Sequence, residues 1–372
     1  MPKTAIIGSG IAGLAVAYGL KKLGKDVVIF DKNLNIKGAT WQQHGWFHTG
    51  YLYLGQKDIE IYRNFVENYL KMKCLSLDFN ISHGSNSWLS NENIDYHFYA
   101  KPWYVSLFSN WDLKLKRLIL RSVGENPSGM GIYLKYKRKK FKKSKIFNSA
   151  FLIKSPDRVL RTDRVVSDIR KFLQESGVDF VEKEITKSQL NFEQKKINDE
   201  LYENIFFCCG YGINDFFPET VGKVYSLLGV HKGNIKDSSF VLIHPDSVKT
   251  INCIRHKNIE NEAISIIGDG VNFNKVPNEE NISEFKDKIK KTLGVEVQRI
   301  ILGEKAEILD NDTRDYRHKI IEKVSGNYII TPGKFSNFPS IVFEITNNFE
   351  RITKENKTTW HPAHKDGKNE FI

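Results

Sequence analysis

Three glycines near the start of the chain have the spacing of a phosphate-binding turn. They are Gly8, Gly10 and Gly13, and an acidic residue, Asp31, follows eighteen positions after the last of them. Gly8 would permit a tight turn out of a strand, Gly10 would let backbone approach a pyrophosphate, and Gly13 would let a helix pack closely on that strand. The N–H groups at the helix N-terminus would face the phosphates, and Asp31 would accept hydrogen bonds from a ribose hydroxyl.

The elements needed to position these residues surround them in the sequence. A short apolar run precedes Gly8, and Leu14, Val16, Ala17 and Leu20 predict a helix over residues 11–23. A second apolar run then ends at the acid. This strand–turn–helix–strand context distinguishes a dinucleotide site from a glycine-rich turn without a ligand.

A second region that could take part in a reaction runs from residue 38 to 53 and is rich in glycine, aromatic residues and histidine. The imidazole of His48 ordinarily titrates near neutrality and could accept a proton from a substrate. It could equally serve only to orient its loop. We interpret His44 as a structural loop residue, and Tyr53 as either a substrate hydrogen-bond donor or a packing aromatic.

The rest of the chain alternates helical and strand-like patterns. Helices are predicted over 58–71, 164–176, 283–293 and 341–352, and strands over 87–89, 97–99, 105–108, 178–181, 204–210, 240–243, 250–254, 263–268 and 328–333. The run ending at Gly210 is short and apolar, as is typical of a buried parallel strand. Nucleotide-binding units thus occupy the beginning, middle and end, with strand-rich inserts between them.

Composition excludes several classes of protein. Hydrophobic residues make up 40% of the 372 and charged residues 27%, which is ordinary for a globular protein. No apolar stretch reaches the length of a membrane span. The four cysteines form neither a disulfide framework nor a metal-ligand pattern, so no metal is expected. The glycine pattern begins at Gly8 and leaves no room for a signal peptide, so we expect a cytoplasmic protein.

The net charge of +12 is concentrated in one segment. Residues 135–145 contain eight cations in eleven positions, and without them the net charge falls to +4. Composition as a whole therefore makes no strong case for nucleic acid. The segment could be a solvated loop, could attach the protein peripherally to an anionic membrane surface, or could meet a phosphorylated substrate or an RNA backbone.

Five motifs in order resemble the D-amino-acid oxidase superfamily of FAD-dependent oxidoreductases, which includes glycine oxidase, sarcosine oxidase and L-2-hydroxyglutarate dehydrogenase. The motifs are Gly8–Asp31, Gly38–Tyr53, Val159–Asp163 with the segment 177–181, Ile205–Gly210 and Ile329–Asn337. The resemblance implies an α/β fold: a Rossmann-like FAD-binding domain of glutathione-reductase type with an interleaved antiparallel-sheet substrate domain. It implies residues 1–80, 150–215 and 325–372 for the first domain, and 81–149 and 216–324 for the second.

The resemblance also implies roles for individual residues. FAD contacts are expected from Gly8, Gly10, Ile11, Ala12, Gly13, Asp31, Lys32, Thr40, Gln43, Gly45, Val181, Gly210, Gly333, Lys334 and Phe335. Thr40 and Gln43 would contact phosphate or ribityl oxygens. Lys334 would stabilise negative charge on the reduced flavin, or would be a surface lysine at a helix start.

The implied reaction moves a hydride from a C–H bond next to nitrogen or oxygen onto FAD, from a small amine, amino acid or hydroxy acid. His48 is the first candidate for catalysis, and it could also bond a flavin edge or carry a covalent flavin. Tyr53 would face the substrate. Arg314, ahead of Arg317 and Lys305, would hold a substrate anion, because a guanidinium grips a carboxylate with two bonds.

The sequence departs from the family pattern in two places that bear on the substrate, and two other functions remain open on separate grounds. Trp41 is bulky where a small residue is usual, and Gly303-Glu-Lys-Ala stands where relatives that bind carboxylates often have Gly-x-Arg-Pro. One alternative is a flavin-dependent enzyme without net redox chemistry, such as a sugar-nucleotide mutase. The other is a membrane- or nucleic-acid-associated protein that uses residues 135–145.

Overall fold

A computed structural model of the 372-residue chain describes nine stretches of it. These are residues 2–35, 38–49, 59–79, 87–98, 142–143, 151–243, 250–257, 261–308 and 317–354. The predicted strand over 105–108, the candidates Tyr53 and Arg314, and all of the basic segment except Lys142 and Lys143 lie outside the described residues.

The described residues contain six α-helices. They are α1 (Ile11–Lys22), α2 (Ile59–Asp78), α3 (Thr162–Glu175), α4 (Ile213–Phe216), α5 (Glu279–Leu293) and α6 (Phe338–Lys354). The predicted helices are confirmed, although α5 begins four residues earlier than expected. The reason is a capping box in which Asn278 and Asn281 satisfy each other's backbone N–H groups.

Eighteen strands accompany the helices within the same residues. They are β1 (Thr4–Ile7), β2 (Val27–Asp31), β3 (Trp46–Phe47), β4 (Leu89–Phe98), β5 (Lys142–Lys143), β6 (Phe151–Leu160), β7 (Asp179–Glu182), β8 (Leu190–Asn191), β9 (Lys196–Ile197), β10 (Glu200–Leu201), β11 (Ile205–Phe207), β12 (Val221–Lys232), β13 (Phe240–Ile243), β14 (Thr250–Lys257), β15 (Ala263–Gly268), β16 (Arg299–Ile308), β17 (Lys319–Val324) and β18 (Asn327–Thr331). The two fragments predicted near 87–89 and 97–99 belong to one continuous strand, β4.

The chain divides into two compact units. The first comprises Met1–Trp41, Thr162–Val224 and Glu304–Ile372, and the second comprises Gln42–Arg161 and Tyr225–Gly303. Residues 42–80 and 150–161, which the sequence assigned to the cofactor domain, group with the second unit because β3 pairs with β6 and β6 with β4. Residues 304–324 group with the first unit, where β17 pairs with β18.

The first unit is built on a six-stranded sheet in the order β17-β18-β11-β1-β2-β7. Four neighbouring pairs, from β18 to β7, are parallel, and β17 alone runs antiparallel to its neighbour. The chain passes from β1 to β2 on one side, whereas β11 lies on the other side of β1. Strand order reverses at that point, and the carboxyl ends of the strands there form the crevice where such sheets bind ligands.

Helix α1 lies within the core of this unit. Every residue from Ile11 to Leu20 is buried, so the helix has no solvent-facing stripe. Gly19 permits the close approach of α6, because a Cβ at that position would lie 2.8 Å from the side chain of Ile345. The burial of α1 on all sides holds its N-terminus, which carries the glycine turn, in one place.

The second unit contains most of a nine-stranded sheet in the order β16-β12-β15-β14-β13-β4-β6-β3, with β5 also paired to β6. From β12 to β3 the neighbouring strands pair antiparallel, as expected, except that β13 and β4 pair in parallel. One face packs on α5 through Phe285 and Ile289, and strand residues such as Phe240 and Cys253 complete that core. No helix within the described residues is both long enough and apolar enough to cross a membrane.

Candidate active site

The glycine turn after β1 has the geometry that its spacing predicts. Gly8 has φ +108°, and a Cβ there would lie 2.7 Å from the backbone of Cys208 at the end of β11. A Cβ on Gly13 would lie 1.9 Å from the carbonyl oxygen of Gly8, so only glycine lets α1 pack against this turn. The predicted turn and the predicted close packing of helix and strand are both confirmed.

Gly10 differs from Gly8 and Gly13, because contacts within the described protein barely constrain it. Its backbone angles, φ −68° and ψ 179°, suit any residue. A Cβ there would meet one described atom within 4 Å, the Oγ1 of Thr40 at 3.2 Å. The space above Gly10 is therefore open on the side of the helix N-terminus, where a phosphate would approach.

Thr40 completes the N-terminus of α1. Its Oγ1 accepts a hydrogen bond from Ile11 N at 3.1 Å, although it lies far from the helix start in sequence. The first bond of the helix runs from Leu14 N to Gly10 O at 3.0 Å, so the N–H groups of Ala12 and Gly13 precede the helical bonding pattern. Two such donors beside the positive end of the helix dipole have the chemistry that an anion requires.

Asp31, at the end of β2, is tied to the same turn. Its Oδ2 accepts hydrogen bonds from Ser9 N at 2.6 Å and Ser9 Oγ at 2.7 Å, and its Oδ1 accepts one from Asn33 N at 3.0 Å. Lys32, by contrast, lies at the surface, 3.8 Å from Glu184, and both side chains are about two-thirds exposed or more. Val181 pairs with Phe30 across β7 and β2.

Two further turns follow the central strands of the same sheet. Gly210 after β11 has φ +61°, and Gly333 after β18 has φ +62°. Lys334 then precedes a short 3₁₀ turn, Phe335–Asn337, that leads into α6. The side chain of Asn337 closes this loop by donating to Pro332 O at 2.9 Å.

Within the second unit, the segment around β3 is held mainly by internal contacts. Gln43 Oε1 accepts a hydrogen bond from Gly45 N at 2.8 Å. Gly45 has φ +67°, and a Cβ there would lie 2.7 Å from both the ring of His256 and Leu160 O. The conformation of Gly45 is thus explained by packing against β6 and β14.

His48 is buried in this segment, with 5% of its surface exposed. Its ring stacks on Trp46, with the centroids 4.0 Å apart and the planes at 31°, and the ring of Phe65 lies 5.6 Å away. The imidazole is therefore enclosed between aromatic side chains that restrict its orientation.

A buried carboxylate that the sequence did not indicate lies beneath this segment. Asp157 of β6 has no exposed surface. It accepts hydrogen bonds from Trp46 Nε1, Tyr96 OH, Thr49 N and the Thr49 hydroxyl. Burial raises the pKa of Asp157, and the bonds from Thr49, Tyr96 and Trp46 oppose that rise. Its partners are 61 to 111 residues away, so no local signal in the sequence could have found it.

Comparison with known families decides the identity of this arrangement. Residues 3–250 match the DAO family, described as FAD dependent oxidoreductase. The chain belongs to this family. It is therefore an FAD-dependent oxidoreductase, in agreement with the resemblance, and the alternative of a mutase without net redox chemistry has no support. A comparison with curated protein sequences finds no match.

Solved structures of similar fold include several oxidases and dehydrogenases. Glycine oxidase from Geobacillus kaustophilus has a TM-score of 0.65 at 11% identity, covering 94% of this chain and 95% of its own. Iminodiacetate oxidase from Chelativorans sp. BNC1 has a TM-score of 0.66 at 12% identity, covering 94% and 95%. L-Proline dehydrogenase from P. horikoshii has a TM-score of 0.63 at 14% identity, covering 95% and 94%. These likenesses confirm the fold of the DAO-family chain.

The groups that the first unit of this DAO-family chain presents are those that FAD requires. Gly10 leaves open space beside the N–H groups of Ala12 and Gly13, which precede the helical bonding, and Asp31 follows at the end of the adjacent strand. Ser336, in the turn before α6, has a buried hydroxyl that no group among the described residues bonds. All of these atoms lie near the carboxyl ends of the parallel strands, as a dinucleotide requires.

Apart from Lys32 and Val181, the predicted FAD contacts fall into two groups according to the unit in which they lie. Those the structure brings together at the strand ends of the first unit are Gly8, Gly10, Ile11, Ala12, Gly13, Asp31, Thr40, Gly210, Gly333, Lys334 and Phe335. Gln43, Gly45 and His48 belong to the second unit. Gln43 keeps a buried Nε2 for which the described part of the chain offers no acceptor. Their contacts with FAD stay predictions.

Proposed function

We propose that the protein oxidises a C–N or C–O bond of a small amine, amino acid or hydroxy acid. The substrate would lose a hydride and a proton and become an imine or a carbonyl compound. FAD supplies the hydride acceptor, the flavin N5, when it is bound. The observation that carries the proposal is the combination of three features: Gly10, open to a phosphate, the N–H groups of Ala12 and Gly13, which precede the helical bonding, and an acid on the next strand.

The residues of the first unit would bind and orient the cofactor. The N–H groups of Ala12 and Gly13 would donate to the pyrophosphate, and Asp31 would accept from a ribose hydroxyl. Ser336 would direct its unbonded hydroxyl toward the cofactor, and Lys334 would offset negative charge that accumulates on the reduced ring.

His48 would hold or move the proton that the substrate releases. Its enclosure by Trp46 and Phe65 supports a defined ring orientation, which general-base catalysis needs. The same enclosure is compatible with a role limited to orienting the segment. The pH dependence of flavin reduction in the unaltered protein and in His48→Gln distinguishes the two, because a proton acceptor contributes its own ionisation to the pH–rate profile and an orienting residue does not.

An amino compound is the favoured substrate class within this proposal. The structural neighbours named glycine oxidase, iminodiacetate oxidase and L-proline dehydrogenase carry amino compounds in their names. Each of those compounds also has a carboxylate, for which we propose Arg314 as the partner. Tyr53 would contribute a hydrogen bond on the substrate side.

The decisive experiment is anaerobic titration of the FAD-loaded protein with defined compounds. Glycine, sarcosine, L-proline, D-alanine and L-2-hydroxyglutarate would each be mixed with the protein while flavin absorbance is followed. We expect one chemical class to bleach the flavin without added reductant. If dithionite bleaches the flavin but every member of a broad amine, amino-acid and hydroxy-acid panel leaves it oxidised, the proposal is wrong.

A further inference from the structure

Among the described residues, Asp157 accepts all of its hydrogen bonds from uncharged donors. Each oxygen accepts two hydrogen bonds: Oδ2 from Trp46 Nε1 at 2.8 Å and Tyr96 OH at 2.7 Å, and Oδ1 from Thr49 N at 2.9 Å and the Thr49 hydroxyl. A carboxylate offers about four acceptor positions, so this set saturates it. Such a fully bonded, fully buried group is a fixed point in the second unit rather than a ligand site.

The position of Asp157 is fixed by hydrogen bonds that involve two strands. Its backbone N–H donates to Ser155 Oγ at 3.1 Å, and Ser155 Oγ donates to Ile94 O at 2.8 Å. Asp157 and Ser155 lie on β6, and Ile94 lies on β4. The carboxylate therefore occupies a position set by the sheet and not by a loop.

The residues that Asp157 holds flank His48 in sequence. Trp46 precedes the histidine by two positions and also stacks on its ring, and Thr49 follows it directly. The carboxylate is thus bonded to residues on both sides of His48, and its hydrogen bonds within the described part of the chain do not include the imidazole. A shift of either partner would move the ring.

We infer that Asp157 is a positioning residue for His48, acting through Trp46 and Thr49. The inference rests on the proposed function, in which His48 acts on the substrate proton. Small errors in the placement of a reacting group are costly, so loss of this anchor lowers the chemical rate more than it lowers substrate binding.

The geometry specifies the substitution that tests this role. The hydroxyls of Tyr96 and Thr49 can reverse and accept hydrogen bonds, but Trp46 Nε1–H and Thr49 N–H can only donate. These two obligatory donors are on different oxygens of Asp157. Asparagine has one oxygen, so in Asp157→Asn either orientation of the amide leaves one buried N–H facing another donor.

A second substitution removes that conflict. In Trp46→Phe/Asp157→Asn, the new amide oxygen can accept a hydrogen bond from Thr49 N–H. The new amide nitrogen can donate to the hydroxyl oxygen of Tyr96. The phenylalanine ring keeps an aromatic surface beside His48. The double variant should therefore recover part of what the single variant loses, which a general loss of stability would not predict.

The experiment compares Asp157→Asn, Trp46→Phe/Asp157→Asn and the exposed control Asp287→Asn, all as FAD-loaded full-length proteins. The first readout is the imidazole ¹H–¹⁵N NMR spectrum, with the His48 signals assigned by their loss in His48→Gln. The second is the rate of anaerobic flavin reduction by the compound found active in the panel. The third is FAD affinity, measured by quenching of flavin fluorescence.

We expect Asp157→Asn to shift the His48 signals and lower kcat roughly 10- to 100-fold, with KM changing much less. FAD affinity should change much less than kcat, because the residues that would hold the pyrophosphate and the ribose, Gly10 to Gly13 and Asp31, belong to the other unit. The double variant should recover a substantial part of kcat, and Asp287→Asn should match the unaltered protein. Unmoved His48 signals in Asp157→Asn, or an unchanged kcat, would overturn the inference.

Failure of the proposed function would be recognised separately. If no compound reduces the flavin, the NMR comparison still decides whether Asp157 sets the environment of His48. If Asp157→Asn does not fold, Thr49→Val removes one hydrogen bond to Asp157 while it retains the carboxylate and leaves the Trp46 ring beside His48 unaltered. Unchanged His48 signals in that variant would count against the inference, and a shift would support it.

Discussion

Gly10→Ala should separate cofactor binding from folding. The backbone angles of Gly10 suit alanine, and the new methyl would meet only Thr40 Oγ1, at 3.2 Å, among the described atoms. Alanine restricts the unfolded chain more than glycine does, which stabilises the folded protein by about 0.4–1 kcal/mol. The close contact with Thr40 offsets part of that gain. We therefore expect the free energy of unfolding without FAD to change by less than about 1 kcal/mol.

The same methyl would occupy the space where a pyrophosphate must approach. We expect FAD to bind at least about tenfold more weakly, a loss of ~1.4 kcal/mol. At an FAD concentration 100 times the original Kd, bound FAD stabilises the protein by ~2.7 kcal/mol, and a tenfold weaker Kd reduces this to ~1.4 kcal/mol. The difference is large enough to measure.

Gly13→Ala is the matched control with the opposite expectation. Its Cβ would lie 1.9 Å from Gly8 O, which is backbone and cannot rotate away. We expect this variant to lose more than ~3 kcal/mol with or without FAD, because α1 must move off the sheet. Denaturant unfolding in the presence and absence of FAD measures both variants, and fluorescence titration gives Kd. If Gly10→Ala binds FAD as tightly as the unaltered protein, the assignment of the glycine turn to the pyrophosphate is wrong.

Three further predictions concern individual side chains. Burial lowers the pKa of His97 from 6.5 to about 4, so stability present above pH 6.5 is lost as pH falls toward 4. Between pH 7 and 5 the loss is about 2 kcal/mol, and denaturant unfolding at both pH values should show it removed in His97→Phe but retained in the packing control Phe240→Leu. Thr40→Val should cost ~1 kcal/mol in the same assay, because Ile11 N–H loses its acceptor. Lys334→Met should retain FAD but slow flavin reduction roughly tenfold in stopped-flow absorbance; an unchanged rate would place the ammonium group away from the flavin.

Local patterns predicted the first unit well. The apolar run before Gly8, the helix after it and the run ending at Asp31 are contiguous, and each element's periodicity is readable within about ten residues. The buried parallel strand ending near Gly210 was predictable for the same reason. The sequence could not show that Thr40 caps α1, because that hydrogen bond joins positions 29 residues apart.

The second unit was less predictable because its contacts are remote. Strand β4 was read as two fragments, since its polar middle, Asn91 to Asp95, hides the alternation. His48 was singled out as a candidate from its glycine- and aromatic-rich segment, but its burial depends on contacts with Trp46 and Phe65. A histidine in a glycine-rich segment carries no sign of whether its ring faces a ligand or the core.

Asp31 and Asp157 each accept several hydrogen bonds, and only the structure shows how many. Asp31 was predicted from its position at the end of an apolar run, eighteen residues after Gly13, whereas the partners of Asp157 are 61 to 111 residues away and leave no such pattern. Counting acceptor positions then separates their roles. Asp157 uses about four and has none left for a ligand, whereas Asp31 uses three, two on Oδ2 and one on Oδ1. The remaining position on Oδ1 of Asp31 can accept one ribose hydroxyl without breaking a bond that holds the turn. Asp31 is thus suited to bind cofactor, and Asp157 to hold the protein that surrounds His48.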